Sequence, residues 1–302
     1  MATREQLITK VNTETSSSGT EVTALCQDKL DWVQEDITSR FDFSWLKKDG
    51  YINTVPVYDA GTVTCTTDST TLTGLGTAFT AAMVGRLFKV DDEESYYKIA
   101  AFVSTTELTL ASTYIGTTAA TLSYNIWKVD YPLASDFKKM IWVKQVVTDG
   151  KLVNIPETIM NDYYPDMFIR SLDNTADSYC LTGIDASGYY TIRLSPIQTT
   201  RKQIYYKYIK QLDTINTLGA SSSIPTKWHD AFVFRLNAFV FDLIDIPAKA
   251  GKNEAYYEQT IARMIEEDMK RDKSLSFVMS NERLSGGGTS FARRDPTHFQ
   301  NR

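Results

Sequence analysis

Between Gly61 and Thr80 threonine takes almost every second position, and Asp68 is the only charged residue. Val63 and Cys65 alternate with Thr62, Thr64 and Thr66, and Leu72, Leu75 and Phe79 follow among Gly74 and Gly76. β-Branched residues alternating with apolar ones, broken by glycines, make short half-buried strands joined by tight turns. The pattern continues to Lys128 and predicts strands over Thr62–Thr66, Thr70–Thr73, Arg86–Val90, Tyr96–Ser104, Glu107–Leu110 and Leu122–Val129, with a helical turn in Phe79–Val84. Five or six such strands suit a small all-β barrel or sandwich spanning 58–129.

Helical patterns bracket this cassette. Thr3 with Gln6 forms a capping box for an opening helix carrying Leu7, Ile8 and Val11. Ser18 with Glu21 predicts the start of a second helix. Its apolar stripe is Val22, Leu25, Leu30, Val33 and Ile37, with Cys26 alongside and Asp28, Asp31, Glu35 and Asp36 mostly off it. The sequence then runs FDFSWLKKDGY, where Phe43, Trp45 and Leu46 can cap a core and Asp49-Gly50 signals a turn. Past the cassette, 130–217 reads as a central β region. It holds a strand over Ile141–Val147, a loop with paired tyrosines over Asn161–Pro165, and a hairpin of Ser178–Ile184 with Tyr189–Leu194 across Asp185-Ala186-Ser187-Gly188. The cleanest strand is Lys202–Lys210, with Ile204, Tyr206 and Tyr208 on one face and Tyr205, Lys207 and Ile209 on the other.

Leu218–Ser223 reads as a linker. Pro225 opens a helix bearing Trp228, Ala231, Phe232, Arg235, Leu236, Phe239 and Leu243 on one face, with Phe234, Val240 and Phe241 adding apolar surface elsewhere. A helix apolar nearly all round is buried on more than one side, in a protein interior or a subunit interface. Pro247 and Gly251 are expected to end it. A last helix over about Asn253–Lys273 carries Tyr257, Ile261, Met264, Ile265 and Met269, with acids and bases on the remainder. From Ser285 the chain reads SGGGTSFARRDPTHFQNR, flexible by its glycines and basic through Arg293, Arg294 and Arg302. The fold class is therefore α+β: N-terminal (1–57) and C-terminal (218–284) helical parts of one core, the inserted domain 58–129, the central β region 130–217, and an arm over 285–302.

A net charge of −5 argues against a protein that coats nucleic acid. The three cysteines, Cys26, Cys65 and Cys180, are scattered outside metal-ligand spacing and read as reduced, packed thiols. No export signal is recognised at the N-terminus. The longest apolar run, Ala231–Ile246, is interrupted by Arg235, Asn237, Asp242 and Asp245, so a soluble protein is expected.

The sequence carries no hydrolase, zinc, Walker or redox motif. His229 and His298 lack partners at metal-ligand spacing, and no catalytic residue, metal or cofactor is assigned. Glu266, Glu267 and Asp268 could be an acid–base group, but a solvated helix face explains them better. The pairs Tyr163-Tyr164 and Tyr189-Tyr190 could stack sugars or bases, although packing is the commoner role of strand tyrosines. In the tail, Phe291, Arg293, Arg294 and Phe299 have the character of interface anchors. The same segment also fits a C-terminal fray.

The cassette GTVTCTT…LTGLGTAFTAAMVGRLFKVDDEESYYKIAAFVSTTELTLASTYIGTTAATLSYNIWK resembles a β module that recurs in tailed-bacteriophage structural proteins. Its flanks are similar to the phage head-to-tail adaptor (connector or neck) proteins. The shared parts are an opening helix ending near FDFSWL, a β region ending in YYKY, an IPTKWHDAFV helix, a second charged helix and a C-terminal arm. The resemblance implies a structural virion protein, not an enzyme, made in the host cytoplasm and located in the neck between capsid and tail. Such adaptors form rings, usually of twelve, beneath the portal; they extend the DNA channel and present a platform for the tail. The implied partners are the portal protein, further copies of the chain, and tail or neck proteins. Genomic DNA would pass through without specific binding, and no membrane is involved. Carried onto this chain, the resemblance makes Ser285, Phe291, Arg293, Arg294, Phe299 and Arg302 the portal-docking arm. It makes Trp228, Phe232, Leu236, Phe239, Ile261 and Ile265 the bundle core and part of the ring contacts. The alternatives are a tail or decoration protein binding host-surface glycan through the cassette and its tyrosines, and a virion-borne peptidoglycan hydrolase using Glu266 or Glu267.

Overall fold

The computed structural model describes residues 2–145, 150–163 and 176–285. Along the chain, helices α1 (Arg4–Thr15) and α2 (Thr20–Ser39) lead to strand β1 (Lys47–Asn53). Seven short strands follow: β2 (Thr62–Cys65), β3 (Thr71–Leu75), β4 (Leu87–Val90), β5 (Tyr97–Ser104), β6 (Glu107–Leu110), β7 (Ala119–Leu122) and β8 (Tyr124–Trp127). Next come β9 (Asp130–Pro132), β10 (Phe137–Gln145), β11 (Val153–Asn154), helix α3 (Glu157–Tyr163), β12 (Ser178–Ile184), β13 (Tyr190–Ser195) and β14 (Gln203–Lys210). Helices α4 (His229–Leu243) and α5 (Pro247–Ser285) close the described chain. The protein is α+β and divides into two compact units, Met1–Trp45 with Leu212–Arg302, and Leu46–Gln211.

In the helical unit, the capping box at α1 is formed. Thr3 Oγ1 accepts from the Gln6 N–H at 3.3 Å, and Gln6 Oε1 accepts from the Thr3 N–H at 3.0 Å. The box expected at Ser18 is not. Helix α2 starts one residue later, with Gly19 at the cap and no side-chain bond, so the Ser18–Glu21 spacing is out of register. Helix α4 is buried on several sides, through Ala231, Phe232, Val233, Leu236, Ala238 and Val240. It packs against α1, α2 and α5 of its own unit, which accounts for its all-round apolar surface within one chain. Helix α4 ends before Pro247, as expected. Gly251, however, lies inside α5, which starts at Pro247 and runs on to Ser285. Proline at the first turn of a helix gives up no bond, so Pro247 starts α5 rather than only stopping α4.

The stretch read as a linker, Leu218–Ser223, and the residues before it are held in place. The Ala220 carbonyl accepts from the Arg4 N–H at 2.8 Å. Buried Gln34 donates to the Asp213 carbonyl at 2.8 Å and accepts from Ser222 Oγ at 3.0 Å. Asp31 accepts from the Ile215 N–H at 2.7 Å. Polar residues of α2 thus satisfy backbone groups that could find no ladder.

In the β unit, the seven cassette strands form one sheet ordered β7-β2-β3-β6-β5-β4-β8. Its edge strands are separated in sequence only by Ser123. A flat seven-stranded sheet is about 29 Å wide at the usual strand spacing, whereas a few residues of chain span roughly 10 Å. The sheet must therefore curl, and its concave side is filled by Leu72, Phe79, Phe88, Tyr97, Leu108 and Ile126. The segment Leu122–Val129, expected as one strand, is split at this point between β7 and β8. The expected helical turn appears at Ala81–Met83.

The other two sheets are β1-β14-β10, antiparallel, and β11-β12-β13-β9, in which only β11 runs parallel. They share a second core: Ile52, Val143, Ile204 and Tyr206 come from the first, and Tyr131, Tyr179 and Ile192 from the second. Four expectations change here. The strand expected over Ile141–Val147 is β10, which starts four residues earlier at Phe137, and residues 146 and 147 lie outside the described residues. Asp49-Gly50 lies within β1, paired with Lys207 and Tyr206, and makes no turn. Residues 161–163 are the end of α3, not a loop. Ile209, expected to share a face with exposed Tyr205, is 2% exposed. Among the described residues, no helix is long and apolar enough to cross a membrane.

Candidate functional site

Helix α2 buries Val22, Cys26, Leu30, Val33 and Ile37; Leu25, expected on that stripe, is half-buried, and Cys26, expected beside it, takes its place one helical turn after Val22. Trp32 lies off that stripe and stays 45% exposed. It meets Phe239 of α4 edge to face, with ring centroids 5.6 Å apart. Arg235, one helical turn before Phe239, places its guanidinium 5.1 Å from the Trp32 ring, 4.8 Å from Phe239 and 5.4 Å from Tyr257 of α5. It also pairs with Glu254 of α5. Buried Tyr257 donates its hydroxyl to Asp36 at 2.6 Å. Asp36 accepts two bonds of 3.1 Å from Arg40, which reaches Glu258 at 3.0 Å. Burial pushes the Asp36 carboxyl up, but the bonds from Arg40 and Tyr257 and the charges of Arg40 and Arg235 outweigh it and hold its pKa below the usual value. Burial, then Asp36, pushes the Tyr257 hydroxyl far up, so it stays a donor.

This network fixes a partly exposed aromatic–arginine patch on α2, α4 and α5. Leu243, two turns beyond Arg235, extends it and is 50% exposed. A groove of about 340 Å³ between α4 and α5, lined by Phe239, Asp242, Pro247, Ala250, Gly251 and Glu254, adjoins it. Held tryptophan, phenylalanine and arginine side chains are the types that dominate interface energies, because a rigid anchor loses little entropy on docking.

A second concavity of the same unit, about 620 Å³, lies between Trp45, Pro225, Trp228 and α5. Trp45 stacks on Phe43 at 5.4 Å. Buried Asp268 positions this segment, accepting from the Ser44 N–H at 2.8 Å and from Ser44 Oγ at 2.6 Å. Lys227 stands 5.0 Å from the Trp228 ring and pairs with Glu267, and Lys270 pairs with Glu266 at 2.6 Å. The acids Glu266, Glu267 and Asp268 are thus each engaged. His229 is buried, with Nε2 donating to the Ile224 carbonyl at 2.9 Å.

The sequence-predicted residues divide as follows. Phe232, Leu236 and Ile261 are buried in the helical unit, and Ile265 is half-buried. Trp228 lines the larger concavity, and Phe239, half-buried, belongs to the partly exposed patch. Ser285 is the last residue of α5. Phe291, Arg293, Arg294, Phe299, Arg302, His298 and Tyr164 lie outside the described residues. Tyr189 and Tyr190, read as packing residues, are 40% and 41% exposed. Of the cassette tyrosines, Tyr97, Tyr114 and Tyr124 face its core, whereas Tyr58 and Tyr96 are half-buried. Trp32 and Gln34 were missed. Their signal is a tryptophan and an amide standing among the acids of DWVQED, where a solvated face would need neither.

No protein-family model matches the chain, and none of the curated proteins matches it.

Proposed function

We propose that this chain is a structural protein of a tailed-phage neck, an adaptor that forms a ring beneath the portal, extends the DNA channel and presents a platform for the tail. The observation that carries the reading is the division of the chain. Residues from both ends build one helical unit, and Leu46–Gln211 is a β-rich insertion between them. That organisation agrees with the resemblance of the flanks to head-to-tail adaptors. The patch of Trp32, Arg235, Phe239 and Leu243 supports it further, because a closed ring needs a heterologous contact between neighbouring copies. Helix α5, 39 residues and about 58 Å long, leads into the segment that would dock on the portal.

The test is the mass of the purified protein, alone and mixed with a portal ring. The expected result is multiple copies bound to the portal, lost in Trp32→Ala/Phe239→Ala although the helical circular dichroism is unchanged. A chain truncated before Ser285 is expected to stay folded and fail to dock. A protein that remains monomeric and ignores the portal would sink the reading.

A further inference from the structure

The sheet β1-β14-β10 differs sharply from the rest of this acidic chain. Its three strands hold seven lysines against a single carboxylate, Asp49, whereas the whole chain carries −5. The register sorts these residues by face. Ile204, Tyr206 and Tyr208 point into the shared core. On the opposite face one row across the strands is Tyr51, Tyr205 and Lys144, and the next is Asp49, Lys207 and Trp142. Lys47 and Lys139 flank the row beyond, on either side of Ile209.

The two tyrosine rings of this face are open, whereas Trp142 is half-buried. Tyr51 is 62% and Tyr205 40% exposed, with centroids 6.3 Å apart. Lys207 contacts Asp49 at 3.3 Å and stands 6.0 Å from the Trp142 ring, so the one carboxylate of the sheet is already engaged. Neighbouring tyrosines left open among lysines form a platform with a polyanion's complement of charge.

We propose that this face binds single-stranded nucleic acid. Unstacked bases lie on Tyr51 and Tyr205, and the phosphates run past Lys144, Lys207 and the flanking lysines. Charge complementarity selects a polyanion, and the open rings select one with aromatic faces to offer. A duplex offers none, because its bases are already stacked on one another. The net acidity of the chain masks the face, since electrostatic attraction depends on the local field within about one Debye length. The inference does not rest on the neck reading.

The experiment is fluorescence anisotropy of the full chain with a labelled oligothymidylate of about twenty nucleotides. Binding is expected at low salt, weakening as salt rises with a log–log slope of about −2 for three phosphate contacts. Tyr51→Ala/Tyr205→Ala is expected to lose at least about tenfold in affinity, and Tyr51→Phe/Tyr205→Phe to retain it. Lys144→Glu should flatten the salt slope by about 0.7. The proposal is overturned if the oligonucleotide does not bind at low salt, or if the alanine variant, folded by circular dichroism, binds as well as the parent. It is equally overturned if a duplex of the same length binds as tightly, or if polygalacturonate binds and the oligonucleotide does not.

Discussion

Gly50 shows how a single residue can be misread locally. Asp-Gly is a strong turn signal, yet here the glycine makes room: a Cβ on Gly50 would overlap the Tyr206 ring across the strand pair, well inside contact distance. Tyr206 cannot move aside, being buried with its hydroxyl accepting from the Ala134 N–H at 3.0 Å. Gly50→Ala is therefore expected to cost about 1–3 kcal/mol in a denaturant melt. Gln34→Ala, which strands the Asp213 carbonyl and the Ser222 hydroxyl, should cost a similar 1–3 kcal/mol. Burial raises the thiols of Cys26 and Cys180 to about 11, and burial with the Glu93 charge raises Cys65 to about 12. A thiol reagent at neutral pH should label none of them in the folded protein and all three in denaturant; rapid labelling of the native chain would contradict this packing. Asp36 sets an acid limit. Its folded pKa lies below the unfolded 3.8, so its contribution is complete above that pH and is lost as pH falls through the folded value. The stability gap between the parent and Asp36→Asn should shrink on acidification; a gap that widens would exclude the network described.

At the scale of elements, most strands and helices follow from pattern, and the departures have local causes. The first strands of the cassette were legible because alternation is strict there and glycine marks the breaks, whereas their pairing order was not. The split between β7 and β8 was not, because it is imposed by closure of the sheet and Ser123 carries no turn signal. Nearby Thr121 takes φ 57°, a conformation that a β-branched residue adopts only under strain, and it is solvent-exposed. Thr121→Gly is expected to leave the protein as stable or to stabilise it by up to about 1 kcal/mol. A loss larger than that would mean that the threonine side chain is needed at the junction. Helix α5 was foreseen only from Asn253 because Gly251 looked like a stop. A glycine interior to a helix costs only about 1 kcal/mol, which the packing of Tyr257, Ile261 and Met264 offsets.

For the whole molecule, the β unit contains two cores with no residue in common, one within the curled sheet and one between the other two sheets. Tyr58 pairs with Ile126 through backbone bonds of 3.0 and 2.9 Å, so the ends of the cassette lie side by side. Replacing 58–128 by a short glycine–serine linker should leave a cooperatively unfolding protein that retains the second core. Loss of cooperative unfolding would show that the cassette is integral to it. By itself the sequence determined the α+β class, the strand-rich cassette between helical ends, the α1 cap, most of the buried stripe of α2, the burial of α4 on more than one side, and the inward face of β14; the single face expected of α4 was wrong in part, because Arg235, Phe239 and Leu243 stay partly exposed. Each of these is written in a period of 3.6 or 2 that neighbouring residues share. Only the tertiary structure decided which surface stays open. The exposure of Trp32, Tyr51 and Tyr205, the grip of Gln34 on the 212–224 segment, and the gathering of lysines from three distant strands onto one face depend on partners far apart in the sequence, such as Lys144 with Tyr205 and Asp49 with Lys207. No local period encodes such pairings.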